Sequence, residues 1–150
     1  YSILISSLDF SSNDIAQIPH NFFKLFPNLV SLNLSANKLK SFPPGIGECR
    51  DILDVNLSEN DLSELPSDFA NCSSSLLVLH LSKNPLYRIP PPVFKCGQLQ
   101  ELVACDTGLM EFPEDLLSMT ALKVLCLGGN SIAEVPVGIT NLSNIESLDL

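Results

Sequence analysis

Three residues of this 150-residue chain have side chains suited to a soft metal ion: His80, Cys105 and Cys126. An imidazole and two thiolates are zinc ligands, each standing about 2.0–2.3 Å from the ion. The spacing argues against such a site. If the three lie on neighbouring parallel strands about 4.8 Å apart, His80 and Cys126 are two strands apart at the same depth, about 9–10 Å at the backbone. No fourth ligand is evident. The expectation is an exposed polar histidine beside free thiols, with no metal. Carboxylates are numerous: Asp9, Asp54 and Asp149 sit at expected strand positions, with Glu59 and Asp106 just after such positions. They could form acid–base pairs, but no pocket or perturbing neighbour is implied, and a solvated acidic surface is the reading adopted. There is no P-loop, no GxGxxG, no HExxH and no GxSxG, so the usual signatures of phosphate cradling, zinc hydrolysis and serine nucleophiles are missing. The chain is expected to be no enzyme and to need no cofactor.

What would position these residues is a repeat. "LNLSANKLKSFP" (Leu32–Pro43) and "VNLSENDLSELP" (Val55–Pro66) are near-twins 23 residues apart. The template LxxLxLxxNxLxxLP occurs six times, from Ile5, Leu29, Ile52, Leu76, Leu99 and Leu122, and a seventh copy opens at Ile145. The chain therefore divides into repeats 5–28, 29–51, 52–75, 76–98, 99–121 and 122–144, with a partial repeat 145–150. The xLxLx centre alternates with period two, the mark of a strand with one buried face. One such strand cannot bury that face alone, whereas stacked copies form a parallel sheet over a continuous leucine core. The return segment of each repeat is too short for a long helix. It should be extended, 3₁₀ or one to two helical turns. Pro43–Pro44 and Pro90–Pro92 favour an extended path, while Glu114–Met119 looks more helical.

Template position 9 holds Asn13, Asn37, Asn60, Asn84 and Asn130, with Thr107 in the fifth repeat. The chain turns there and its backbone loses ladder partners. A buried amide both donates and accepts, so these residues should form a structural ladder. Repeat 5, with Thr107 and with Ala104 in place of a large aliphatic, should be its weak link.

The formal charge is −9, which disfavours nucleic acid and anionic membrane surfaces as partners, and no apolar run is long enough to span a bilayer. Because the chain starts without Met and stops within a strand phrase, it is expected to be an excerpt of a longer protein. Of five cysteines, Cys49, Cys72 and Cys96 share template position 21, where a thiol replaces a core leucine. No cysteine-rich cap with paired spacings is present, which favours a reducing compartment, and all five are expected to be reduced. The Asn-x-Ser sequons at Asn33, Asn56, Asn71 and Asn141 are read as incidental, those at Asn33 and Asn56 coming with the strand phrase.

On the sheet face the expected balance is nine acidic residues against Lys38, Lys83 and Lys123, or 3 − 9 = −6. Repeats 4 to 6 add Val78, Val103 and Val124, expected as an apolar stripe with His80 beside it. A valine stripe rimmed by Lys83, Glu101, Asp106 and Lys123, and extended by Asp54 and Glu59, has the composition of a protein interface.

The motifs "FPPGI", "IPPPV" and "VPVGI" and the 23-residue period resemble the LPxxI class of the leucine-rich-repeat family. Relatives of that class include plant Ras-group repeat proteins, Erbin/Scribble scaffolds and the arrays of ROCO-type kinases. The resemblance implies an α/β horseshoe: a right-handed solenoid with a parallel sheet on its concave face and short 3₁₀, helical or extended segments on its convex face. It further implies a cytoplasmic scaffold or regulatory module that binds a protein, such as a small GTPase, a kinase or a phosphatase. The alternatives are an array attached to an enzyme domain that it regulates, and an extracellular receptor ectodomain.

Overall fold

The computed structural model describes residues 4–150. Each repeat contributes one three-residue strand: β1 Ser7–Asp9, β2 Ser31–Asn33, β3 Asp54–Asn56, β4 Val78–His80, β5 Glu101–Val103, β6 Val124–Cys126 and β7 Ser147–Asp149. Among the described residues these seven form one open parallel sheet in chain order. The register never slips: Leu32 faces Val55, Val55 faces Leu79, and so on through Leu125 and Leu148. The central side chain of each of β2 to β6 is fully buried, while its two neighbours stay half-exposed on the opposite face. This is the alternation that the xLxLx phrase encodes. The expected solenoid is the fold found.

The core is a set of columns running along the array. One column is Leu29, Ile52, Leu76, Leu99 and Leu122, and another is Leu34, Leu57, Leu81, Ala104 and Leu127, all buried. Cys49, Cys72 and Cys96 form a third with Met119 and Leu142, so each thiol does occupy a leucine-like place. Aromatic rings thread the first three repeats: Phe23 lies 5.4 Å from Phe42, and Phe42 lies 6.3 Å from Phe69.

The described return segments are all 3₁₀: Phe23–Leu25, Ile46–Glu48, Ser67–Ser74, Pro91–Lys95, Glu114–Ser118 and Val137–Asn141. Two expectations change here. Pro91 and Pro92 open a 3₁₀ turn rather than extending the chain, because proline's fixed φ suits a first turn whose N–H groups need no partner. Glu114–Ser118 is also 3₁₀ rather than α-helical. A single turn tightened to i→i+3 bonds suits a path that must rejoin the sheet within one period.

Template position 8 is left-handed in all six complete repeats. Ser12, Ala36, Glu59, Lys83 and Asp106 have φ between 53° and 57°, and only the sixth repeat uses glycine, Gly129, at 69°. A left-handed L-residue costs ~1–2 kcal/mol, against ~0.4–1 kcal/mol of extra unfolded-state freedom for glycine. Ala36→Gly is therefore expected to raise stability by about 0.5–1 kcal/mol. Gly129→Ala should lower it, since its new methyl would also strike the Asp106 carboxylate. Urea midpoints measure both, and shifts of the same sign would contradict the account.

Candidate protein-binding face

The asparagine ladder positions the face from behind. Asn60 is representative. Its Oδ1 accepts from the Leu39 N–H at 3.0 Å, and its Nδ2 donates to the carbonyls of Leu34 at 2.9 Å and Leu57 at 3.1 Å. One amide thus satisfies its own turn and that of the preceding repeat. Asn84 repeats the pattern against Leu62 and Leu57, and Asn37 against Ile15 and Phe10. Among the described residues Asn13, in the first repeat, bonds only its own turn. Asn130 reaches back to Leu109 and Ala104.

Thr107 does not reach back. Its hydroxyl lies 3.1 Å from both the Ala104 carbonyl of its own repeat and Asn130 Oδ1 of the next, which share its single proton. A hydroxyl on a shorter stem, with one proton, does not reach the turn of the preceding repeat as the asparagine amides do. The turn of repeat 4 rearranges in consequence: the Leu86 N–H bonds Asn84 O, the Tyr87 N–H bonds Thr107 O, and Tyr87 takes a left-handed φ of 58°.

On the open side of the sheet, two rows of side chains run across the strands. One reads Ser7, Ser31, Asp54, Val78, Glu101, Val124 and Ser147; the other reads Asp9, Asn33, Asn56, His80, Val103, Cys126 and Asp149. The expected straight valine stripe is corrected by this register. Val78 faces Glu101, and Val103 faces His80 and Cys126. The three valines form a zigzag of diagonal neighbours, each half-buried, with Glu101 between Val78 and Val124.

The charges are partly paired. His80 Nε2 lies 2.8 Å from Glu101 Oε1, and Lys83 Nζ lies 3.5 Å from Glu59. His80 is therefore half-buried and partnered rather than an isolated exposed group. Lys38 contacts Asp14 at 2.6 Å, and its hydrogen bond holds that carboxyl below the ordinary range. Asp54 stands half-exposed among Ser31, Asn33, Asn56 and His80 around a shallow hollow of about 220 Å³. Asp106 is exposed at the edge, below β5.

The cysteines divide into two classes. Cys49, Cys72 and Cys96 are free and buried. Burial pushes the Cys72 thiol up to about 12, and those of Cys49 and Cys96 to about 11, so they should react slowly. Cys105 and Cys126, expected as free thiols, are instead joined as a disulfide, with Cα atoms 6.1 Å apart. Cys105 occupies template position 7 and Cys126 position 5, which brings their side chains together across the two repeats. The zinc candidate dissolves on two counts. His80 is engaged with Glu101, and the group beside the sulfurs is Asp149, whose Oδ2 lies 3.2 Å from Cys126 Sγ. Joined sulfurs offer no thiolate.

A larger trough was not foreseen. It lies on the flank, after the asparagine turn, as two adjoining hollows of about 630 and 460 Å³ that share Met110 and Phe112. The signal was present at template position 12, where Lys40 and Ser63 give way to Tyr87 and Met110.

The family model described as Leucine Rich Repeat matches residues 28–49. No curated protein matches the sequence. Among solved structures, the Arabidopsis receptor kinase HAESA, in complex with the peptide hormone IDA and a co-receptor, is 32% identical with a TM-score of 0.82. That match covers 97% of this chain and 25% of that one. A leucine-rich-repeat protein of Leptospira interrogans is 25% identical with a TM-score of 0.78, over 97% of this chain and 43% of that one. An internalin of Listeria monocytogenes is 21% identical with a TM-score of 0.76, over 92% and 39%. This chain thus spans less than half the length of each. Among the described residues no helix is long and apolar enough to cross a membrane. Six copies of one phrase, a matching family model for one of them and a sheet shared with these neighbours show the fold of a leucine-rich-repeat solenoid, a fold typical of protein–protein interaction modules.

Proposed function

We propose that the array binds a partner protein on the open face of its sheet, centred on Val78, Val103 and Val124 and rimmed by Asp54, Glu59, Glu101 and Asp106. The supporting observation is that one uncovered sheet face combines half-exposed apolar side chains with a surplus of carboxylates. Such a surface suits a basic partner with an apolar centre. The HAESA structure supports the reading to the extent that a receptor kinase similar to this chain forms a complex with a peptide hormone. The partner class favoured is an intracellular signalling protein: a small GTPase, a kinase or a phosphatase.

The test is a pull-down with the full-length protein, followed by binding kinetics. Val103→Asp places a charge at the desolvated centre and is expected to speed dissociation, costing about 2 kcal/mol or more. Glu59→Lys should slow association and flatten its salt dependence. Glu48→Lys, on the 3₁₀ side, should change neither. If Glu48→Lys abolishes capture while the other two bind normally, the face is wrongly assigned.

A cytosolic setting belongs to the same proposal. Three free core cysteines support it, while the Cys105–Cys126 link points the other way. Thiols counted in denatured protein from its native compartment decide between them: five support the cytosol, and three an oxidising compartment. A second reading makes the array a regulator joined to an enzyme domain. A kinase, phosphatase, cyclase or GTPase motif in the adjoining chain would favour it.

A further inference from the structure

We propose that the flank of repeats 4 to 6 is a second, separate interaction site, a trough for a short extended peptide whose apolar side chain is flanked by Lys or Arg. None of Val78, Val103 and Val124 lines it. Its floor is apolar and buried, made by Ile89, Leu109 and Phe112. Its walls are large apolar side chains left in water: Tyr87 is 70% exposed, Met110 74% and Val135 51%. Exposed apolar area gathered along one trough marks a contact surface, whereas scattered exposed residues do not.

The backbone explains why the trough opens at this place. A left-handed conformation is common for glycine and a genuine outlier for a bulky aromatic residue. Tyr87 holds it because no amide from repeat 5 reaches back into the turn of repeat 4. The Leu86 and Tyr87 N–H groups take other acceptors, and the tyrosine ring is carried outwards across Gly108, where even an added methyl would meet it at 2.8 Å. The break in the asparagine ladder and the trough are thus one feature.

Charge and length define the occupant. Glu111, Glu114, Asp115 and Glu134 line the trough against a single Arg88, or 1 − 4 = −3. A negative rim selects basic flanks, and the exposed Tyr87 ring offers its face to a cation. Met110 is unbranched and adapts to differing apolar side chains. Three repeats at strand spacing extend over about 10 Å, roughly three residues of extended chain. The recognised core is therefore a motif of about three or four residues.

The test is selection of a displayed random-peptide library on the 150-residue chain, followed by affinity measurements on the enriched peptides. Enrichment of an apolar residue between Lys or Arg residues is expected, with affinity that falls as salt rises. Met110→Asp and Glu111→Lys, both at exposed positions, should each weaken binding about tenfold or more. Val103→Asp should leave it unchanged, which separates this site from the open face. No enrichment would overturn the proposal. So would enrichment of acidic peptides, or binding lost in Val103→Asp but kept in Met110→Asp.

Discussion

Phe69→Ala is expected to lower the unfolding free energy by about 3–5 kcal/mol, the cost of emptying a buried aromatic site. Phe69 is 0% exposed, sits in the Ser67–Ser74 segment and is the last ring of the aromatic thread that runs through Phe42 and Phe23. The site cannot collapse easily. Its neighbours belong to repeats whose spacing is set by the in-register sheet, so a cavity there stays largely open. In a solenoid each repeat is stabilised chiefly by the next, and a defect in repeat 3 weakens the contacts on both sides of it. Urea unfolding followed by circular dichroism measures the loss. A change under about 1 kcal/mol would mean that the repeats slide together to fill the gap, contrary to a fixed register.

Asn60→Ala carries the second large effect, about 1–3 kcal/mol. Its acceptors are shared: Leu57 O also receives Asn84 Nδ2, and Leu34 O also receives Asn37 Nδ2. The Leu39 N–H is different, since Asn60 Oδ1 is its acceptor and the bond is buried. One orphaned donor sets the cost, rather than the loss of four bonds, the fourth being Nδ2 to Ser58 O at 3.3 Å. Thr107→Ala should cost less, because the Ala104 carbonyl keeps Asn130 as a donor. Asn28→Ala, at an exposed position outside the ladder, should stay within about 0.5 kcal/mol. The expected order of denaturation midpoints is Asn28→Ala above Thr107→Ala above Asn60→Ala, and equal midpoints for the last two would remove the ladder from the account.

The repeat frame was legible in full, because a fixed period and a strand phrase together determine which residue stands beside which. That same period shows where the valine stripe fails. Val78 and Val103 are 25 residues apart, two more than the repeat, so they cannot face one another. The Cys105–Cys126 link was hidden for a related reason. The two residues are 21 apart and meet only because they take different template positions on adjacent repeats. The 3₁₀ nature of Glu114–Ser118 was not legible, since so short an apolar pattern suits either helix type and the choice is made by how far the chain must travel. Thr107 was recognisable as a departure. That its hydroxyl would leave the previous turn to rearrange, carrying Tyr87 outwards, depends on reach in three dimensions.

The missing asparagine at Thr107 also decides how the array bends. Side-chain amides tie repeat 1 to 2, 2 to 3, 3 to 4 and 5 to 6. Among the described residues none ties 4 to 5, where backbone bonds, the Ser82 hydroxyl and the His80–Glu101 pair cross instead. Among the complete repeats, the junction of 4 and 5 is thus the one held without a ladder amide, and it is expected to be their most compliant joint. A partner that grips the sheet on both sides of β4 and β5 would take up any mismatch of curvature at that joint, and elastic work otherwise spread over the array would fall at a single place.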